Sequence, residues 1–418
     1  MAVSLDDLQA NSSFTKNVKG KVTLLPDPPR AERFYTVISC DDHLVEPRHT
    51  FEGRVPAKLA DRAPRIVEDE AGRENWLFDG QLLPNVGFNA VIGRPVDEYS
   101  FDPTRFDEMR KGAWDVAERV RDMDLNGIYA SLNFPSFLPG FAGQRLQSIT
   151  NDRELAVASV RAWNDWMIDD WTAYAPERFI AAQLPLLHDV EVAAAEVRKN
   201  VARGFKAVTF PEAPHLLDLP SLHTGYWDPL MAACAETGTV VCLHVGSSST
   251  SPATSADAPS DAVGALFFAY AMFAAVDWLY SMIPVKFPDV RICLSEGGIG
   301  WVAGLIDRFD HMRRYDSMYG TFNDVGMSPS EVFRRNFWFC AIDDPSSFMQ
   351  KDTIGVENIM VESDYPHCDS TWPNTQAILH EQLHRLPKKA IERITWRNAS
   401  ELFDHPVPKA VQRDPNAY

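Results

Sequence analysis

SCDDHLVEP, residues 39–47, ends a short β-forming run (residues 35–40) in two acids, a histidine and a further acid. Side chains alternate along a strand, so Asp41 and His43 are expected on one face. A carboxylate and an imidazole one residue apart form a compact pair for a divalent metal. The competing reading is a strand-end histidine satisfied by ordinary hydrogen bonds. What favours the metal is that the pattern recurs, with apolar runs closing on polar residues elsewhere in the chain. VVCLHVGSS (240–248) closes on His244, NIMVESDYPH (358–367) carries Glu362, Asp364 and His367, and ICLSEGGIGWV (292–302) carries Glu296.

Eight such runs span 35–40, 127–132, 179–183, 207–210, 240–244, 291–295, 337–341 and 359–362. Amphipathic stretches lie between them at 153–173, 190–202, 229–237, 300–315 and 374–386. Alternation of this kind indicates βα units and a parallel sheet. Eight units fit a closed (β/α)8 TIM barrel, an α/β fold, whose strands converge at their C-terminal ends on one mouth. Asp41, His43, His244 and Asp364 then share a rim, because strand eight adjoins strand one. A doubly wound open sheet is the alternative, and the missing Gly-rich fingerprint after strand one counts against its dinucleotide-binding form.

The first connection is long. Residues 48–115 form an insertion, a cap or oligomer contact, in which ENWLFDGQLLP (74–84) suggests a small hairpin. Residues 247–261, rich in Ser, Ala and Pro, read as a mobile lid or a disordered surface loop. The barrel is assigned to 34–405, with an N-terminal arm at 1–33 and a C-terminal tail at 406–418.

Lysine and arginine total 40 against 58 acids, and no basic stripe is present, which argues against a nucleic-acid partner. The apolar run 264–283 is long enough to span a bilayer. Asp277 interrupts it and no basic flank follows, so it reads as a buried helix, and no membrane association is expected. The start of the chain lacks the pattern of a signal peptide. The six cysteines form no CxxC pair, which indicates a reduced, cytoplasmic protein without disulfides. A small-molecule substrate and a homo-oligomeric state complete the expectation.

In this order the motifs resemble the amidohydrolase superfamily, specifically the amidohydrolase-2 group related to aminocarboxymuconate semialdehyde decarboxylase. The likeness runs from about Phe34 to His405. It includes RVRDMDLNGI (119–128), NFPS (133–136), APERFIAAQLPL (175–186), GFKAV (204–208) and SPSEVFRRNFWF (328–339). It implies that Asp41 and His43 are first-strand metal ligands, His244 the fifth-strand ligand and Asp364 the eighth-strand ligand, with Asp364 also moving a proton. The implied activity is a metal-dependent hydrolase or non-oxidative decarboxylase acting on a small carboxylate, amide or lactone, with zinc as the first expectation for the ion.

Two departures from the group stand out. Glu296 replaces the usual histidine after strand six, and Glu46 and His367 add further donors. The set Asp41, His43, Glu46, His244, Glu296, Asp364 and His367 is rich in carboxylates and suits manganese, iron or two ions. A dinuclear non-haem iron oxygenase on the same scaffold is therefore the alternative function, and a non-catalytic barrel subunit a third. Asp364, Glu296 and His244 are the candidate catalytic residues. Phe134, Pro135, Phe137, Phe141 and Trp372 suggest an apolar wall, and Arg161 is expected to pack or pair on the second helix.

Overall fold

A computed structural model describes residues 2–4, 22–99, 103–136, 138–255, 257–315 and 318–418. Eight parallel strands close into a ring: β1 Ile38–His43, β2 Ala130–Phe134, β3 in two pieces, Phe179–Ile180 and Ala182–Gln183, β4 Ala207–Pro211, β5 Val240–His244, β6 Arg291–Ser295, β7 Phe337–Ala341 and β8 Ile359–Val361. β3 closes the ring. Its first piece pairs with β2 and its second with β4, while β8 pairs with β1. This is the expected (β/α)8 barrel and excludes the open doubly wound sheet.

Two strands start later than their sequence runs, for local reasons. Phe34 and Tyr35 donate their backbone N–H groups to Gln376 Oε1, so their backbone is satisfied outside the ladder. Gly127 caps helix Val116–Asn126 in the left-handed region (φ 75°), so β2 cannot begin there.

Alternation sorts the side chains. In β5, Val240, Cys242 and His244 share the inward face, while Val241 and Leu243 pack under the outer helices. Cys40, Cys242, Cys293 and Cys340 pack with Ile38 and Met360 inside the ring, and Trp396, Phe403 and Val411 from the end of the chain join this cluster. All six cysteines are free.

In β1 the pairing with β2 shifts register between Ser39 and Asp42. Such an irregularity re-aims side chains. Ile38 and Cys40 lie in the inner cluster, yet Asp41 and His43 beyond them turn into the mouth.

The insertion contains a three-stranded antiparallel sheet, Arg65–Glu68, Glu74–Phe78 and Gln81–Leu83. Its Asp79–Gly80 turn has positive φ at both residues, the arrangement an Asp-Gly hairpin favours. The segment after β5 is more ordered than a surface loop. Ser247, Ser248 and Ser251 are buried, and Thr250–Pro252 pairs with Ala2–Ser4 as an antiparallel ribbon. The long apolar run becomes two helices, Ser260–Ala265 and Phe268–Tyr280. Among the described residues no helix is long and apolar enough to cross a membrane. Arg161, on helix Arg153–Trp166, pairs with Glu196 at 2.8 Å.

Candidate metal centre

The ends of β1, β5 and β8 bring four of the expected side chains together. His43 Nε2 lies 3.4 Å from Asp41 Oδ1, 3.3 Å from Asp364 Oδ1 and 3.0 Å from His244 Nε2. His244 Nε2 lies 3.3 Å from Asp41 Oδ2. An ion with ligand bonds of about 2.1 Å separates its donor atoms by roughly 3.0–3.4 Å. His244 Nδ1 is 2.7 Å from the carbonyl of Val245, which fixes the proton on that nitrogen and leaves the Nε2 lone pair facing the group.

The electrostatics have one sense. Both oxygens of Asp41 and of Asp364 are buried without a hydrogen-bond partner. Burial, reinforced by Glu362, Glu296 and Asp42, holds Asp41 well above the usual carboxylate range. Burial does the same to Asp364, with Asp369, Glu296 and Asp41 adding to it. Burial also drives His43 far below its usual value and lowers His244 to about 3 and His367 to about 4. Unpartnered buried carboxylates are costly, and neutral imidazoles beside them are ready ligands. Asp41, His43, His244 and Asp364 therefore fit a divalent cation.

Glu296 and His367 stand at the edge of this group. Glu296 Oε2 is 3.3 Å from His244 Nε2, and His367 Nδ1 is 3.0 Å from Asp364 Oδ1, its ring stacked on that of His43 at 3.8 Å between centroids. Glu296 and Asp364 both occupy the left-handed region, at φ 55° and 52°. That conformation costs about 1–2 kcal/mol for a residue with a Cβ. Two hydrogen bonds hold it, from Glu296 N–H to Glu362 Oε2 at 3.1 Å and from Asp364 N–H to the carbonyl of Asp41 at 2.9 Å.

Glu46 is not part of the group. It is buried and accepts hydrogen bonds from Ser136 N–H at 3.2 Å, from the Ser136 hydroxyl and from Trp163 Nε1 at 3.0 Å, a second-helix contact that uses its lone pairs. Two residues that the sequence reading passed over matter here. Asp369, on the loop after β8, forms a carboxylate group with Glu296 and Asp364. Arg119 is fully buried and donates to the carbonyl of Gly112 at 2.7 Å and to that of His43, so a cation braces the strand that carries His43. Its signal was present in the sequence: Arg119, Met123 and Asn126 recur at helical spacing on the buried face of Val116–Asn126.

Phe134 and Phe141 line the group, with ring centroids 5.0 and 4.3 Å from that of His244. Trp372 lies apart, against Tyr365 and under Arg110. Phe137 is outside the described residues.

The model of the amidohydrolase family matches residues 54–404. No curated protein matches the sequence. Among solved structures, an amidohydrolase of Mycobacterium avium subsp. paratuberculosis is 23% identical with a TM-score of 0.65, covering 88% of this chain and 99% of its own. The 5-carboxyvanillate decarboxylase of Novosphingobium aromaticivorans, complexed with manganese and 4-hydroxy-3-methoxy-5-nitrobenzoic acid, is 17% identical with a TM-score of 0.62, covering 91% and 100%. The dihydroxybenzoic acid decarboxylase of Polaromonas sp., with bound manganese and 2-nitroresorcinol, is 18% identical with a TM-score of 0.60, covering 89% and 97%.

Proposed function

The chain belongs to the amidohydrolase family, and from that membership we propose a metal-dependent enzyme of the hydrolase or carboxy-lyase type, whose site best fits non-oxidative decarboxylation of a small aromatic carboxylate. The observation that carries the reading is the convergence of Asp41, His43, His244 and Asp364, with both aspartates buried and without hydrogen-bond partners. These four would hold the ion. Their mixed nitrogen and oxygen donors suit zinc or manganese, and manganese is the ion in two of the similar decarboxylases. A bound divalent ion supplies Lewis acidity and a lowered pKa for an attached water.

The chain's own residues supply the rest. Replacing a carboxylate on a ring by hydrogen requires a proton delivered to the carbon that loses CO2. Asp364, at the rim of the ligand group beside Glu296, is the carboxyl group placed to hand over that proton. His244 is locked as the Nδ1–H tautomer by Val245, so it serves as a ligand and not as a proton donor. Phe134 and Phe141 exclude water and offer flat apolar faces to a ring. The same Asp364 acting as a base would serve hydrolysis of an amide or lactone, which is the other reaction of this type.

The test is a substrate panel with manganese- and zinc-loaded protein. Hydroxybenzoate carboxylates are assayed for CO2 release, and amides and lactones for hydrolysis. Metal-dependent CO2 release from an aryl carboxylate is expected. Turnover confined to amides or lactones would reassign the enzyme as a hydrolase. No metal-dependent turnover of either kind would remove the proposal.

A further inference from the structure

We propose that Asp42 is a positioning residue for the deep ion, the one that Asp41, His43, His244 and Asp364 would hold. It sets Asp364 against His43 by binding the residues on both sides of Asp364. The inference rests on the metal-dependent reading above.

The pattern is reciprocal. In sequence Asp42 stands between two of the proposed ligands, Asp41 and His43. Its carboxylate is buried and, among the described residues, is not part of the donor groups at the mouth. Instead Oδ1 accepts from the Ser363 hydroxyl at 2.6 Å and from Tyr365 N–H at 3.2 Å, the two neighbours of Asp364. It also accepts from the Ser39 hydroxyl at 2.9 Å. One oxygen thus holds the chain immediately before and after the eighth-strand ligand.

The clamp lies where the ladder gives out. β8 meets β1 in one ladder pair, Val361 with Ser39. Asp364 then enters the left-handed region, and regular pairing cannot continue through it. Single bonds cross the gap: Ser363 N–H to Ser39 Oγ at 2.9 Å, Asp364 N–H to the carbonyl of Asp41 at 2.9 Å and His43 N–H to that of Tyr365 at 2.6 Å. Removing the Asp42 carboxylate strips two buried donors beside Asp364 of their acceptor. A buried donor without a partner is costly, so the chain moves to satisfy it and carries Asp364 along.

Tyr365 limits where that movement goes. Its ring lies 4.3 Å from the guanidinium of the buried Arg119, which also donates to the carbonyl of His43. Its hydroxyl donates to Asp122 Oδ2 at 2.6 Å, and Arg110 holds the same carboxylate. The side chain of Tyr365 is therefore anchored from the far side, and the freedom left is in the peptides that carry Ser363 and Asp364. Metal–ligand distances hold within about 0.2 Å of their preferred values, so a small displacement of Asp364 is felt at the ion.

The experiment is a titration of metal-free full-length protein with Mn2+ alone, read by equilibrium dialysis and by electron paramagnetic resonance. Asp42→Ala is expected to weaken Mn2+ binding by about tenfold or more and to change the spectrum of the saturated protein. Asp42→Asn keeps an acceptor oxygen for the same donors and is expected to restore the wild-type affinity and spectrum. Ser363→Ala removes one of the bonds, is expected to weaken binding by less, and decides alone should Asp42→Ala fail to fold. Glu46→Ala, which strips partners from Ser136 and Trp163 away from the ligands, shows what lost stability by itself does to Mn2+ affinity, and no change is expected. Wild-type affinity and spectrum in both Asp42→Ala and Ser363→Ala, or equal weakening in Asp42→Ala and Glu46→Ala, overturns the positioning role and leaves the deep ion standing. No Mn2+ bound by the wild type overturns both.

Discussion

His244 Nε2 stands 3.3 Å from Glu296 Oε2 and 3.3 Å from Asp41 Oδ2, so the Glu296 carboxylate touches a proposed ligand of the deep ion. Glu296→Gln keeps the volume and removes the charge. We expect the deep ion to stay and turnover to fall by about tenfold or more. Elemental analysis after dialysis, alongside the rate, checks this. An unchanged rate and an unchanged Mn2+ capacity would make Glu296 a mere opening charge of the following segment.

Asp364→Asn separates proton transfer from metal binding. Asparagine tolerates the left-handed backbone found there and retains one oxygen, but cannot carry the proton. We expect a rate loss of about 10²-fold or more with the fold unchanged. Near-normal turnover would assign the proton transfer elsewhere, Glu296 being the nearest alternative.

Glu46 tests the boundary of the site. Its carboxylate accepts from Ser136 N–H and Trp163 Nε1, and among the described residues no hydrogen bond or ion pair joins it to the ligand group. Glu46→Ala leaves those buried donors unsatisfied and should cost roughly 3 kcal/mol of stability, read as a lower urea midpoint, with metal content unchanged. Loss of metal with stability intact would return Glu46 to the centre.

The contrast between Glu46 and Asp364 shows what the sequence could convey. The gathering of Asp41, His43, His244 and Asp364 was legible because each ends or follows a run that must be a strand, and closed barrels gather strand ends. Glu46 sits three residues past His43, so proximity along the chain suggested a ligand. Its partners Ser136 and Trp163 are 90 and 117 residues away, and nothing local announces them. Asp369 was missed for the opposite reason. It lies within the turn segment Tyr365–Ser370, where no periodicity says which way a side chain faces. The register shift in β1 was also invisible, although it accompanies the turning of Asp41 and His43 into the mouth beyond Ile38 and Cys40.

Glu212 offers a pH-dependent test at a buried carboxyl outside the four-residue group. Burial raises its carboxyl from 4.5 to about 7, against hydrogen bonds from Ser247, Gly246 and Ser248 that pull it down. The folded chain thus binds the proton more tightly than the unfolded one. This contribution to stability is fully present below pH 4.5 and is lost as pH rises through 7. The span corresponds to about 3 kcal/mol. Glu212→Gln, which stays neutral, should flatten the fall in stability between those limits, as followed by urea unfolding at several pH values. Parallel profiles for the variant and the wild type would contradict the assignment.

The central claim is the deep ion, and the most direct measurement is anomalous diffraction at the manganese edge from crystals grown with Mn2+. The account predicts a strong peak within coordinating distance of Asp41, His43, His244 and Asp364 together. A well-ordered barrel with those four side chains in place and no anomalous peak among them would contradict it.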